Sequence, residues 1–222
     1  MKAFNSAARH DMRDACRPDP LAGELFPDPP RQERSRRAHD ALVAAALSRF
    51  AESGYELTSI DDIATQAGVA VGAFYLHFRS KRQMLLVLLA RLLEELDFRP
   101  VLTPNANAAA IIERLRDYFR KELTYAGVYR AWREAALRDT ALAALDAQLE
   151  AWTIGRATDL LDAAAARPGA RANTETPVLA RMLSAVFWWS IDTPSAERDA
   201  VSNTVATGIR HVMFEDTADL DA

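Results

Sequence analysis

Residues 58–81 read TSIDDIATQAGVAVGAFYLHFRSK, and this stretch carries the most specific structural pattern in the chain. It predicts a first short helix that begins at Ser59, because Asp62 stands three positions later as its partner in a capping box. Gly68 can adopt the left-handed conformation that ends such a helix. A short turn then leads to a second short helix over about 71–77. Two short helices joined by a tight turn form a helix-turn-helix.

The side chains of the second short helix divide between two directions. Phe74 and Phe78 are four residues apart, so they are predicted to point inward together. Tyr75 and His77 are predicted to point elsewhere. A further helix is predicted after Ser80, a residue type that caps helices well, and it runs to about residue 96.

The rest of the chain shows apolar residues at spacings of three and four, and no segment alternates as a strand does. We therefore predict an all-α protein of about nine helices. Residues 1–30 contain five prolines without a sustained period and predict a mobile arm or a tail partly laid on the body. Outside the quoted stretch, helices are predicted over about 33–53, 81–96, 105–126, 128–138, 140–166, 177–191 and 195–214.

Composition and charge narrow the class of protein. Half of the 222 residues are hydrophobic and 26% are charged, as in an ordinary soluble globular protein. Cys16 is the single cysteine, so no intrachain disulfide is possible and a cytoplasmic location is expected. We predict no signal peptide and no membrane partner, because no apolar run is long enough for either. The net charge of −4 divides into +2 for residues 31–82 and −6 for the remainder, a mildly basic head on an acidic body.

The residue types within the helix-turn-helix are specific. The relevant runs are Ile63-Ala64, Ala67-Gly68-Val69, Phe74-Tyr75, His77-Phe78 and Ser80-Lys81. At these spacings they resemble the DNA-binding signature of the TetR family of regulators over about residues 34–90. For the rest of the chain, the similarity to that family is limited to helix number and length. The resemblance implies a DNA-binding domain at 31–80 and a helical ligand-binding and dimerisation domain at 81–222.

The resemblance also implies which residues contact a double-stranded DNA operator. Three residues match positions that open the recognition helix and face base edges: Val71, Gly72 and Ala73. Three more match positions that reach the DNA backbone or the groove wall: Tyr75, Leu76 and His77. Lys81 matches a lysine that binds phosphate. A phenol, an imidazole and an ammonium group can each donate a hydrogen bond to a phosphate oxygen.

The sequence departs from richer versions of this pattern, because the three residues that open the recognition helix have no bidentate side chain. Base readout would then depend on thymine methyl groups, on Tyr75 and His77, or on DNA shape. Ser59 and the N–H groups behind it place a helix N-terminus where a phosphate can bind. Arg36, together with Arg34 and Arg37, can contact phosphates or a minor groove, but a solvated charge run explains it equally well.

In proteins of this type the last two helices pair with those of a second copy, and the sequence supports a homodimer here. A single subunit would leave apolar stripes on both helices partly exposed. The residues that we assign to the dimer interface are Leu179, Leu183, Val186 and Phe187 on the first of these helices and Val201, Val205, Ile209 and Val212 on the second.

All four tryptophans lie in the body of the chain, where the resemblance implies a small-molecule pocket. Aromatic side chains with a few polar groups suit an apolar ligand. We assign the lining to Phe119, Tyr129, Trp132, Leu149, Trp152 and Trp188, with Arg156 or Arg133 as a polar anchor. The same residues are equally compatible with packing in the core or in a dimer interface.

The resulting hypothesis is a repressor that binds a palindromic operator as a dimer and leaves it when a small apolar or aromatic molecule binds. Activation of transcription, and an architectural DNA-binding protein without an effector pocket, remain alternatives. No cofactor and no metal site are predicted, because the four histidines lack metal-ligand spacing. An enzyme is not expected, since neither a phosphate-binding glycine loop nor a nucleophile elbow occurs.

Overall fold

The computed structural model describes residues 17–27, 33–95, 108–172 and 174–214. Over these ranges the predicted all-α fold is confirmed, and strand-type pairing is limited to one isolated bridge between Ala170 and Phe214. The helices are α1 (Glu33–Ser53), α2 (Ile60–Gln66), α3 (Val71–Tyr75), α4 (Lys81–Glu95), α5 (Ala108–Leu123), α6 (Ala126–Ala136), α7 (Thr140–Ala165), α8 (Thr176–Ser190) and α9 (Arg198–Met213). None of the helices in the described ranges combines the length and the apolar character needed to cross a membrane.

The predicted helix ends agree with the structure to within three residues. α3 ends two residues earlier than predicted, because the N–H groups of Leu76 and His77 bond to carbonyls three residues back, in the tighter 3₁₀ pattern. Most of the predicted arm lies outside the described residues. In its described part, 17–27, the Glu24 carboxylate accepts hydrogen bonds from Arg82 and Gln83 at 2.5 and 3.2 Å.

The described residues divide into two compact units. Residues 19–95 and 125–146 form the N-terminal unit, and residues 108–124 and 147–214 belong to the C-terminal unit. α6 therefore lies in the same unit as the helix-turn-helix, whereas the boundary expected after residue 80 would place it with the body.

α1 is the centre of the N-terminal unit, since it packs against α2, α3, α4 and α6. Its buried residues include Leu42, Ala46 and Phe50, which recur at helical spacing. α6 approaches α1 closely at Gly127, where an added Cβ would lie 2.4 Å from the Cα of Ala51. This crossing requires a residue without a side chain.

The C-terminal unit has its own core, built from α5, α7, α8 and α9. Its largest fully buried side chains include Ile111 on α5 and Phe214 just after α9. Arg171 holds the end of α9, because its Nε donates to the backbone oxygens of Phe214 and His211 at 2.9 and 3.1 Å. Helix packing and this tether together define the end of the last helix.

Candidate functional site

Local contacts hold the helix-turn-helix as the sequence predicted. The Oγ of Ser59 accepts the N–H of Asp62 at 3.0 Å, and the Asp62 carboxylate accepts the N–H of Ser59 at 2.9 Å. The Ser59 hydroxyl also donates to the Asp62 carboxylate at 2.5 Å, and this hydrogen bond, together with the one from the Ser59 N–H, lowers the pKa of the Asp62 carboxyl. Gly68 has a φ of +69°, which a residue with a side chain rarely adopts. Phe74 and Phe78 are buried, so their predicted inward direction is confirmed.

The outward face of α3 is small and apolar except for one phenol. Tyr75 is 53% exposed and Leu76, just after the helix, is 67% exposed. Gly72 is exposed as well, and a Cβ added there would meet no atom within 4 Å. Val71 and Ala73 are partly exposed. The structure therefore brings together five of the predicted DNA-binding residues on one open surface.

His77 does not share this surface. Its side chain is only 6% exposed, and its ring packs edge-on against His39 of α1, with 5.6 Å between ring centroids. The prediction that His77 points outward is wrong, because residue 77 lies three positions after the buried Phe74 and therefore on the side that packs towards α1. Burial, with a smaller effect of the neighbouring His39, lowers the pKa of His77.

Lys81 directs its ammonium group into the protein. Nζ donates to the backbone oxygens of Tyr55 and Thr58 at 2.6 and 2.8 Å and lies 3.4 Å from that of Glu56. It also lies 4.3 Å from the centroid of the Tyr55 ring. Burial lowers its pKa. All three ammonium hydrogens have partners here, so Lys81 braces the loop between α1 and α2 instead of presenting a free charge.

Arg36 lies on the exposed surface at the beginning of α1. Its guanidinium pairs with Glu33 at 3.0 Å, and both side chains are 61% exposed. An exposed pair of this kind contributes little to stability, so Arg36 can exchange Glu33 for a phosphate at small cost.

Glu134 of α6 is a positioning residue that the sequence analysis missed. Its carboxylate accepts the backbone N–H groups of Tyr55 and Glu56 at 2.7 and 3.2 Å. The loop between α1 and α2 is thus held by Glu134 on its N–H groups and by Lys81 on its carbonyls. No motif could have revealed this contact, because the partners are backbone groups 79 and 78 residues away.

The residues assigned to a ligand pocket are divided between the two units. Tyr129 and Trp132 belong to the N-terminal unit. Trp132 is 1% exposed and its indole N–H donates to Asp146 at 2.6 Å, the arrangement of a core residue with a satisfied polar group.

The other assigned residues belong to the C-terminal unit. Phe119 meets Phe187 edge-on with ring centroids 5.8 Å apart, and Phe187 meets Trp188 at 5.6 Å. Leu149, Trp152 and Arg156 are buried. Arg156 is accompanied by two polar residues of α5 that the sequence analysis did not select, Tyr118 and Glu122. Burial, and then Glu122, raise the pKa of the Tyr118 phenol, while Arg156 lowers it.

The last two helices each expose an apolar stripe, and we call these the C-terminal apolar stripes. On α8, Val178, Met182 and Trp189 are 47%, 58% and 65% exposed, and their spacing places them on one side of the helix. On α9, Val212 is 51% exposed, and Val201 and Val205 on the same side are partly exposed.

The predicted dimer-interface residues fall into two groups. Leu183, Val186 and Phe187 are partly exposed, as are the α9 valines. Leu179 and Ile209 are 9% and 4% exposed and lie in the core of the subunit, so their assignment to an exposed interface is wrong. Apolar spacing located α8 and α9 correctly along the chain. It does not distinguish the face of each helix that packs inward from the face beside it.

No group of three or more His, Cys, Asp or Glu side chains that could hold a metal ion occurs within the described ranges.

Comparison with known proteins finds sequence similarity in the N-terminal segment. Residues 42–88 match the family model described as bacterial regulatory proteins, tetR family. The chain is 45% identical over 60 residues to the HTH-type transcriptional repressor KstR2 of Mycolicibacterium smegmatis, a match that covers 27% of this chain and 28% of that repressor. This match thus spans about a quarter of the relative's length. That relative is named as a repressor of transcription, not as an enzyme.

Solved structures share the fold over most of the chain. The ketosteroid transcriptional regulator KstR2 of Mycobacterium tuberculosis aligns with a TM-score of 0.64 at 20% identity, over 83% of this chain and 98% of that chain. A putative transcriptional regulator from Saccharomonospora viridis in complex with choline aligns with a TM-score of 0.65 at 21% identity, over 82% and 98%. These similarities confirm the predicted fold of an N-terminal helix-turn-helix followed by a helical body.

Proposed function

We propose that this chain is a TetR-family repressor that binds operator DNA as a homodimer and releases it when a small molecule binds. The observation that carries this proposal is the open surface of α3, where Tyr75 and Leu76 are exposed beside small residues.

The small residues of α3 suit insertion into the major groove, which is about 12 Å wide and admits a helix. Val71 and Ala73 can contact thymine methyl groups, and Gly72 allows close approach to the bases. Tyr75 can donate its hydroxyl hydrogen to a phosphate. Because these side chains provide no bidentate hydrogen bonding, we expect DNA shape to supply much of the sequence preference.

The remaining predicted DNA-binding residues take different parts in the proposal. Arg36 contacts a phosphate after exchanging its exposed partner Glu33. Ser59, His77 and Lys81 chiefly hold α2, α3 and the preceding loop in position, because their polar groups are already engaged or buried. A direct contact of Lys81 with phosphate would require it to give up one of its backbone oxygens.

The homodimer is proposed to form through α8 and α9. Met182 and Trp189 are large apolar side chains that are mostly exposed in one subunit, and burying each stabilises an interface by about 1.5–3 kcal/mol. A two-fold axis through these helices pairs the same stripes from both copies. The two recognition helices would then contact successive major grooves of a palindromic operator, roughly 34–36 Å apart.

The effector is proposed to bind in the C-terminal unit as a small apolar or aromatic molecule. Phe119 and Trp188 supply aromatic contacts, and Arg156 supplies a buried charge that can orient a polar group of the ligand. Trp132 is left out of this assignment because its indole N–H is satisfied by Asp146. A structural neighbour was solved with choline, which is consistent with a fold that can hold a small molecule.

Release of DNA requires the effector to favour a dimer whose recognition helices no longer match the groove spacing. The change in operator affinity equals the difference in effector affinity between the two states, on the order of 1–3 kcal/mol. An effector that bound both states equally would change nothing.

The test is a fluorescence anisotropy titration of the full chain on duplex DNA from upstream of its own gene. We expect binding that weakens steeply with salt. Tyr75→Phe removes the hydroxyl and should weaken binding by about 2- to 10-fold, as loss of one hydrogen bond of 0.5–1.5 kcal/mol predicts. Leu76→Ala should also weaken binding, whereas Leu137→Ala, at a leucine that is 86% exposed elsewhere in the same unit, should not. Equal affinity for every duplex sequence, or none at low salt, would refute the proposal.

A further inference from the structure

A cleft lies between α5 and α9, and it encloses about 380 Å³. This volume falls in the range of small-molecule sites in proteins. Ala109, Ile112 and Ala206 contribute apolar surface to it. The cleft does not include any of the residues assigned to the effector, so a ligand bound here would occupy a second site.

α9 contributes three polar side chains to this cleft. Asn203, Thr207 and Arg210 follow one another at spacings of four and three and therefore lie on one side of the helix. All three are exposed, and none of their side chains makes a hydrogen bond or ion pair within the described part of the chain. An amide, a hydroxyl and a guanidinium thus stand together with their donors unused.

α5 contributes a second guanidinium from the opposite side. The Nη2 of Arg116 lies 2.5 Å from Glu113 and 3.4 Å from Asp117. Its Nε is buried and has no hydrogen-bond acceptor within the described ranges. The cleft is lined by two guanidinium groups and one carboxylate, Glu113, so its charge is positive.

The polar side of α9 and its apolar stripe point in different directions. At about 100° per residue, Asn203, Thr207 and Arg210 lie on the side of the helix opposite Val205 and Val212. A dimer formed through the C-terminal apolar stripes would therefore leave the cleft open to solvent.

We infer that this cleft binds a small organic acid that carries a short hydrocarbon chain. Its carboxylate would accept hydrogen bonds from Arg210 and from Asn203 or Thr207, with the charge of Arg116 close by. Guanidinium groups suit carboxylates because their paired N–H groups match the two oxygens. The hydrocarbon chain would lie on Ile112 and the two alanines.

The experiment is isothermal titration calorimetry of the full chain with hexanoate. Parallel titrations use 1-hexanol, which keeps the chain and lacks the charge, and inorganic phosphate, which keeps the charge and lacks the chain. We expect hexanoate to bind at least about 10-fold more tightly than either, the factor that one charge-assisted hydrogen bond provides. Equal binding of hexanol or of phosphate would overturn the inference.

Two substitutions in the cleft test whether hexanoate binds there. Arg210→Gln should weaken hexanoate binding about 10-fold, whereas Arg181→Gln, at an exposed arginine of α8 outside the cleft, should leave it unchanged. Glu113→Gln removes the nearer of the two carboxylates that pair with Arg116 and the only carboxylate among the described residues that line the cleft, so it should strengthen binding. Binding that neither Arg210→Gln nor Glu113→Gln alters would overturn the inference. Operator affinity without hexanoate should stay the same in both variants, so failure here is distinct from failure of the repressor proposal.

Discussion

The helix-turn-helix and the last two helices differ in which side chains they bury and which they expose. In the helix-turn-helix, the polar groups of Ser59, His77 and Lys81 are engaged or buried, and the open face of α3 is small and largely apolar. In the last two helices, large apolar groups such as Met182 and Trp189 stand outside. Most residues of the family signature thus build the domain, and the contacts with DNA and with a second copy are proposed for exposed residues instead.

This difference explains why one half was easier to interpret than the other. The N-terminal signature is local, since its residues bond to neighbours a few positions away. The dimerisation proposed for the C-terminal half depends on one face of each helix, and that face is defined only when the helices have packed. Substitutions in the two regions test this contrast.

Trp189→Asp should dissociate the dimer. The substitution removes a large apolar side chain from both copies and adds a charge, so we expect dimerisation to weaken by about 3–6 kcal/mol, on the order of 100- to 10,000-fold. Analytical ultracentrifugation over a concentration series measures the change. Leu137→Asp is the matched control, because that leucine is 86% exposed outside the two stripes. A wild-type chain that stays monomeric at all concentrations, or a Trp189→Asp chain that still forms the dimer, would contradict the assignment.

Gly127→Ala should destabilise the N-terminal unit, although alanine favours helix. The added Cβ would lie 2.4 Å from the Cα of Ala51, so the two helices must separate, at a cost of up to about 3 kcal/mol. Gly72→Ala is the control, since its Cβ would meet nothing within 4 Å and should stabilise α3 by up to about 1 kcal/mol. Urea unfolding followed by circular dichroism gives both values. Equal shifts in the same direction would show that α1 and α6 cross less tightly at Gly127 than the 2.4 Å separation implies.

The sequence was sufficient for the fold and for the capping of α2 by Ser59, because these depend on spacing and on partners within one or two turns. It was insufficient for His77, because the packing of this side chain against His39 of α1 is a contact between distant segments. It was also insufficient for Ile209, because the apolar residues of α9 cover both a core face and the face beside it. Glu134 gave no signal in the sequence, because its partners are backbone N–H groups, which do not depend on the residue types at those positions. Contacts between distant segments are what spacing does not encode.

Glu134→Ala should destabilise the N-terminal unit by about 1–2 kcal/mol, because two backbone N–H groups lose their charged acceptor. Glu134→Gln retains one oxygen and should cost less. Glu94→Ala, at an exposed glutamate of α4, serves as the control. Amide hydrogen exchange is the sharper measurement, since the N–H groups of Tyr55 and Glu56 should exchange faster in the alanine variant. Unchanged exchange at these two positions would remove Glu134 from the positioning role.

The smallest expected effect is a loss of stability of the N-terminal unit in mild acid. Burial lowers the pKa of His77 in the folded chain below its ordinary value of 6.5, so the unfolded chain binds a proton first as the pH falls through that value. Stability is then complete above pH 6.5 and declines below it. The carboxyl of Asp62, whose pKa is lowered by its hydrogen bonds with Ser59, contributes to acid sensitivity only nearer its ordinary value of 3.8, so the two windows are separate.

His77→Phe should therefore flatten the dependence of stability on pH between about 7.5 and 5.5, while keeping the aromatic packing against His39 and Phe78. His39→Gln should retain most of the decline, because it leaves the buried imidazole of His77 in place and burial is the main cause of the lowered pKa of His77. Melting temperatures of the wild type and of both variants, measured at several pH values, test these expectations. An identical decline in wild type and His77→Phe would mean that another group controls it, and that the imidazole of His77 reaches solvent more readily than its 6% exposure suggests.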